Sequence, residues 1–294
     1  MTEAAPSETK LEPSQFDLQE FVRRVLAEDM GSGGDVTSNA TIAADARFSA
    51  EMNCREPITV AGLDIAIAFF RALDREVRIK KEVNDGDSVA AGTVLMRLEG
   101  HARAMLAAER SALNTLQHLS GIATLTRRYA DAIAGTSAVL LDTRKTVPGM
   151  RLLGKYAARM GGAQNHRMRL DDGVLIKDNH VAVSGGVGAA VKAAVAAKTG
   201  LQVQVEVDRL EQIEPALAAG ADRLLLDNMQ PDLLRQAVKM VAGRVPLEAS
   251  GGVNLDTIRG IAETGVDFIS VGRITQSAPA VDIGLDYSLQ NLPA

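Results

Sequence analysis

The stretch Gly173-Val174-Leu175-Ile176-Lys177-Asp178-Asn179-His180 runs from a mostly apolar segment straight into a lysine, an acid, an amide and a histidine. A short apolar run bounded by glycine fits a buried strand, and periodicity alone does not separate it from a piece of buried helix. Recurrence decides the matter. The same design returns at 138–146 (AVLLDTRKT), 201–209 (LQVQVEVDR), 222–229 (DRLLLDNM), 245–252 (VPLEASGG) and 266–273 (VDFISVGR), each beginning apolar and ending polar. Between them lie segments of helical spacing, GGVGAAVKAAVAAKTG and DLLRQAVKMVAG, the second opened by Pro231-Asp232 and closed by Gly243. Such alternation implies parallel strands joined by crossover helices, with both sheet faces covered, which is why the strands read as continuous apolar runs. In a barrel of these units the chemistry sits at the C-terminal strand ends. Lys177 and its neighbours are therefore expected at a shared mouth.

With 46% hydrophobic and 3% aromatic residues, 294 residues build one large or two moderate domains around an aliphatic core. A net charge of −5 argues against a nucleic-acid partner. From Asp142 to His180, however, eight Lys and Arg stand against four Asp, so an acidic protein keeps a basic interior segment. If these cations share one mouth, the ligand is a small polyanion. The single Cys54 excludes an intrachain disulfide and a cysteine zinc site, and the histidines lack the spacing of a zinc pair. No membrane span is expected, since the richest segment, VAGLDIAIAFFRAL, is broken by Asp64 and Arg71. Residues 1–15 lack a basic region followed by an apolar stretch, so they read as a disordered tail, and a cytoplasmic address is the default.

Behind the tail a helix is expected over about Asp17 to Asp29, followed by a glycine loop in EDMGSGGDVTS. That loop is neither a Walker loop, lacking Gly-Lys-Ser/Thr, nor a complete GxGxxG. Short alternating runs from ARFSAEMNC to VLMRLEG, with turn signals at Asn84-Asp85-Gly86-Asp87 and Ala91-Gly92, predict a compact β-rich unit. It is similar to a biotinyl/lipoyl hammerhead, without the lysine that carries a cofactor. Glu109 to Gly135 predicts a long helix interrupted at Ser120-Gly121. The closing PAVDIGLDYSLQ alternates as an exposed strand does, and can return to the N-terminal unit.

Arg144-Lys145, His166-Arg167 and Lys177 fall at successive β/α junctions. Arginine offers planar bidentate recognition of carboxylate or phosphate, lysine a compact point charge. One cation ~4 Å from an anion is worth roughly 4 kcal/mol at an effective dielectric of about 20, before desolvation. Taken singly, each is as readily a solvated loop cation. Glu206 and Asp227 take equivalent strand-end positions on two later strands. They suit ribose hydroxyls, a magnesium-bound ligand or a developing cation, or else serve as salt-bridge partners of the same cations. Ser250-Gly251-Gly252 and Val271-Gly272-Arg273 end the last two strands, where barrels commonly bind phosphate through backbone amides. No nucleophile motif appears, which counts against a hydrolase.

Taken in order, EDMGSGGDVTS, ERSALNTLQHLSGIAT, DTRKTVPGMR, GGAQNHR, LIKDNH, VEV, LLLDN, LEASGGV and DFISVGR resemble the quinolinate phosphoribosyltransferase family over most of the chain. DTRKT-PG with NHR and IKDNH carries the most specificity. The resemblance implies an α/β fold: an incomplete α/β barrel (128–274) with an N-terminal α/β sandwich, hammerhead-like domain (16–127), rejoined by 275–294. It implies a pentosyltransferase that moves phosphoribosyl from phosphoribosyl pyrophosphate to quinolinate with decarboxylation, yielding nicotinate mononucleotide, pyrophosphate and CO2 for NAD biosynthesis. Mg2+ arrives with the donor, and no organic cofactor is implied. A homodimer is implied in which Arg110 is donated in trans to the substrate. Arg144, His166 and Arg167 match residues for the ring carboxylates, Lys145 and Lys177 those for the donor, and Glu206 and Asp227 those near its ribose and magnesium. Ser250, Gly251 and Gly272 fall at the phosphate loops. The chain departs from the pattern at VEVDR, where VEVEN is common, and at Arg169, where glycine is common.

Three rivals stand beside this reading. They are a phosphoribosyltransferase acting on nicotinate or another ring acid without decarboxylation, a barrel lyase or aldolase using Lys177 as a Schiff-base nucleophile, and a non-catalytic sensor of phosphorylated metabolites. The three arginines Arg110, Arg144 and Arg167 favour a ligand with two carboxylates.

Overall fold

The computed structural model describes residues 16–287; the tail expected at 1–15 and the end of the chain from 288 lie outside the described residues. The described chain forms two compact units, one of residues 16–125, 152–161 and 278–287, the other of 126–151 and 162–277. The segment 152–161 thus groups with the first unit, although it lies between strands of the second.

The first unit is built on the alternating runs. Strands β1 (Arg47–Cys54), β2 (Ile58–Thr59), β3 (Arg78–Lys81), β4 (Ser88–Val89), β5 (Val94–His101) and β12 (Ile283–Tyr287) form an antiparallel sheet in the order β12-β1-β5-β3 and a ribbon of β2 with β4. Burial alternates along β1, with Ala50, Met52 and Cys54 inward, as a strand with one covered face requires. The closing run does return: Ala50 pairs with Tyr287 and Cys54 with Ile283. Helix Leu18–Met30 begins where Asp17 accepts the Glu20 N–H, an N-cap worth roughly 1 kcal/mol. It packs on helix Leu63–Leu73, with Phe21 edge-on to Phe69. The glycine loop is shorter than expected, because Asp35 caps a second helix, Val36–Thr41, from within it.

The turn at Asn84 to Asp87 also holds a helix end. Asp85 accepts the N–H groups of Gly62 and Leu63 at 2.8 and 3.1 Å and the Tyr156 hydroxyl at 2.5 Å. It so satisfies the start of helix Leu63–Leu73, whose N-cap Gly62 has no side chain for the task. Burial, and then the Asp85 charge, push the Tyr156 phenol far above its ordinary value.

Ser120-Gly121 does not interrupt the long helix, which runs unbroken from Ala102 to Ala132. Both residues are small for another reason. The Ser120 hydroxyl is fully buried and bonds the Ala61 backbone. At Gly121 a Cβ would stand 2.1 Å from the Pro279 carbonyl oxygen. Close approach of another backbone, rather than a break, explains the pair.

The second unit holds β6 (Val139–Leu141), β7 (Val174–Ile176), β8 (Val203–Val207), β9 (Arg223–Asp227), β10 (Leu247–Ser250) and β11 (Phe268–Ser270), all parallel, in the order β6-β11-β10-β9-β8-β7. β8, β9 and β10 are buried along almost their whole length, as expected for strands covered on both faces. Among the described residues no ladder joins β6 to β7; Leu141 instead makes an isolated bridge to Gln164. This is an α/β barrel left incomplete, and its strands deliver their C-terminal ends to one side.

Asp85→Ala is expected to cost about 2 kcal/mol, through an uncapped helix end and an orphaned buried hydroxyl. Gly121→Ala is expected to cost about 1–3 kcal/mol by overpacking. Both read as lowered midpoints in urea unfolding.

Candidate active site

The C-terminal ends of the six parallel strands, with the loops that leave them, line an open cleft of about 890 Å³. Arg144, Lys145, His166, Arg167, Lys177, Glu206, Asp227, Ser250, Gly251 and Gly272 all reach it. Of the site residues expected from sequence, Arg110 alone does not. It is exposed on helix Ala102–Ala132, in the other unit.

Register sets the depth of each group. Glu206 pairs with Leu225, and Leu225 with Glu248, whereas Asp227 pairs with Ser250. Glu206 and Asp227 are therefore not equivalent: Glu206 lies two residues deeper, on the row of Leu225. Lys177 Nζ donates to Glu206 Oε2 at 3.0 Å. His180 lies outside the cleft and accepts the Lys177 N–H on Nδ1, which secures the start of helix Asp178–Val183. Asn228, at φ 56°, donates its N–H to the Ser250 carbonyl at 2.8 Å and its side-chain amide to Asp227 Oδ2 at 2.5 Å. Gly251 lies against that amide at φ +91°, and a Cβ there would come 2.2 Å from Asn228 Oδ1. At Gly272 a Cβ would meet Lys145 Cδ at 2.8 Å.

The cleft holds more cation than it neutralises internally. Neither Arg144 nor Lys145 makes an ion pair among the described residues, and Arg144 Nε is buried without a hydrogen-bond partner. Arg167 spends one N–H on the Gly173 carbonyl at 2.8 Å. Burial, and next the Arg144 charge, push its guanidinium below the usual value. Like charges held together in a partly buried cleft favour an incoming anion. Arg273, at the start of helix Arg273–Gln276, adds a further cation to the rim. Arg169 does not line the cleft; it is exposed and paired with Asp171 at 2.8 Å.

Two buried carboxylates escape a reading by strand ends. Glu248 has no solvent exposure, yet lines the cleft floor. Its Oε2 meets Arg223 Nη2 at 2.8 Å, Gln204 Nε2 at 2.8 Å and His166 Nε2 at 3.5 Å. Burial alone would raise this carboxyl, but the His166 hydrogen bond, followed by the Arg223 charge and the Gln204 hydrogen bond, holds it below its ordinary value. Arg223 also stacks 3.8 Å over the Phe268 ring. Asp142, equally buried, accepts the His166 N–H at 2.8 Å and the Asn165 amide at 2.5 Å. Burying each such ion costs several kcal/mol before pairing. The available signal was a charge inside an apolar strand, the Glu of LEAS.

A family model described as the quinolinate phosphoribosyl transferase C-terminal domain matches residues 122–286, and its N-terminal counterpart matches 35–120. The chain belongs to the quinolinate phosphoribosyltransferase family. The C-terminal match contains every cleft residue named above, while Arg110 falls in the N-terminal one. Nicotinate-nucleotide pyrophosphorylase (carboxylating) of Mycobacterium leprae (strain TN) is 43% identical over 285 residues, 94% of this chain and 99% of that protein. The probable enzyme of the same description from Bacillus subtilis (strain 168) is 39% identical, over 95% of this chain and 96% of its own. The solved structure of nicotinate-nucleotide pyrophosphorylase from Francisella tularensis superposes with a TM-score of 0.88 at 40% identity, covering 92% of this chain and 96% of that one.

Folding lowers the Glu248 carboxyl below 4.5, so its contribution is fully present above that value and lost as pH falls through the folded one. The stability gap between wild type and Glu248→Gln is thus expected to be flat at neutral pH and to shrink below 4.5, in urea melts at stepped pH. Gly251→Ala combines an unfavourable φ with contact on Asn228, and is expected to cost about 1–3 kcal/mol in the same assay.

Proposed function

We propose that this chain transfers a phosphoribosyl group from phosphoribosyl pyrophosphate to quinolinate, with loss of CO2, yielding nicotinate mononucleotide for NAD biosynthesis. The observation that carries the reading is the set of cations at the cleft, Arg144, Lys145 and Arg167, gathered at strand ends in a chain of this family. Two carboxylates and a pyrophosphate repel each other in water, and a mouth of this charge is what lets them meet.

In this reading Arg144 and Arg167 orient the ring carboxylates and leave N1 of the pyridine facing the ribose. Lys145 and Lys177 hold the donor, and the backbone at Ser250, Gly251 and Gly272 takes phosphate oxygens. The bond from C1′ to pyrophosphate breaks, its electron pair leaving with pyrophosphate, as N1 bonds to C1′. Positive charge builds on the ribose, where Glu206 and Asp227 supply negative charge in a site partly shielded from water. The C2–carboxylate bond then breaks, its electron pair held at C2 beside the cationic ring nitrogen, and a solvent proton completes nicotinate mononucleotide. No organic cofactor is required for this step.

Among the described residues no cluster of three or more His, Cys, Asp or Glu forms a metal cage. Two carboxylates on neighbouring strands instead fit a Mg2+ carried in on phosphate oxygens. Glu206 and Asp227 would hold it, and it would neutralise charge on the departing pyrophosphate. A homodimer in which Arg110, exposed on its helix, serves the partner's cleft belongs to the same reading. No helix among the described residues is long and apolar enough to cross a membrane; a cytoplasmic location accords with a lone Cys54 that makes no intrachain disulfide.

Incubation with Mg2+, phosphoribosyl pyrophosphate and quinolinate is expected to yield nicotinate mononucleotide and CO2 in equal amounts, and none with nicotinate. Turnover of nicotinate alone would overturn the assignment of a second carboxylate. Lys145→Ala is expected to lower kcat/KM by about a hundredfold or more. Mixing it with Arg110→Ala should restore some activity through mixed dimers, and no recovery despite subunit exchange would refute sharing.

A further inference from the structure

His166 reaches the cleft, but both its ring nitrogens are engaged by the protein. Nδ1 accepts the backbone N–H of Arg167 at 2.8 Å, so the ring carries its proton on Nε2. Nε2 lies 3.5 Å from Glu248 Oε2. The backbone N–H of the same residue donates to buried Asp142. The turn that bears Arg167 is therefore tied at three points, two of them to carboxylates with no solvent exposure. Glu248 is in turn held by Arg223 and Gln204 from the two preceding strands, β9 and β8. Packing alone does not call for this arrangement, since apolar residues of similar volume do as well as or better than a buried ion pair. Its place is informative: Glu248 lines the same cleft as Arg144, Lys145 and Arg167.

We propose that Glu248 is a positioning residue, fixing the His166 ring and the turn that carries Arg167 so that this pair meets the substrate's carboxylate. This rests on the phosphoribosyl-transfer reading and deepens it by assigning a role to Glu248, which touches neither substrate in that reading. Removing the Glu248 charge frees the imidazole to turn and lets the Arg167 backbone drift. The loss then falls on the ring diacid and not on the donor, whose contacts come from other loops.

Steady-state kinetics of Glu248→Gln should show the KM for quinolinate raised about tenfold to a hundredfold, with the KM for phosphoribosyl pyrophosphate within about twofold. In a His166→Gln background the same change should add little. Equal losses for both substrates, or effects that simply multiply, would mean a purely structural role and end the proposal. Should Glu248→Gln fail to fold, nitrogen NMR of the wild-type imidazoles decides: His166 with a protonated Nε2 and bare Nδ1 supports it, and the reverse tautomer refutes it. The NMR result stands apart from turnover, so a wild type inactive on quinolinate would sink the functional reading and leave the tautomer test intact.

Discussion

Everything at the mouth of the barrel depends on an unfavourable condition, several cations gathered around one cleft. Arg167 lies beside Arg144, and its guanidinium is pushed down by burial and by that neighbour. Arg144 keeps a buried donor with no partner. Such a site is stable only because the scaffold beneath it is over-determined. The parallel ladders fix the depth of each side chain, and two fully buried carboxylates, Asp142 and Glu248, pin the turn that brings Arg167 in.

The fold supplies the rigidity this requires. The central strands β8, β9 and β10 are paired on both sides and covered on both faces, and the cations that follow the two end strands are short-tethered to the sheet. Lys177 follows β7 directly and Lys145 follows β6 by four residues. The close contacts at Gly251 and Gly272 work the same way. At each, the absent side chain lets a cleft neighbour, the amide beside Asp227 or the stem of Lys145, occupy space that any Cβ would take.

Several expectations changed for identifiable reasons. Ser120-Gly121 reads as a break by propensity, because glycine weakens an isolated helix. In the folded chain the same two residues admit the Ala61 and Pro279 backbones, and tertiary packing outweighs local preference. Glu206 and Asp227 look equivalent when strands are aligned by their polar ends. The hydrogen-bond register separates them by two residues, and register is a property of the pairing, not of either strand.

Alternating apolar runs and helical spacers by themselves determined the α/β class, the parallel sheet and the side on which chemistry collects, since hydrophobic periodicity is a local property. The order of motifs from DTRKT to VGR likewise determined the family and the cations at the mouth. Only the tertiary structure decided that Glu248 meets His166, Gln204 and Arg223, residues 82, 44 and 25 positions away. A lone charge in an apolar strand says that a partner must exist, because burying it unpaired is too costly. Which partner it finds is set by strand order and register, and those emerge from the packing of the whole sheet.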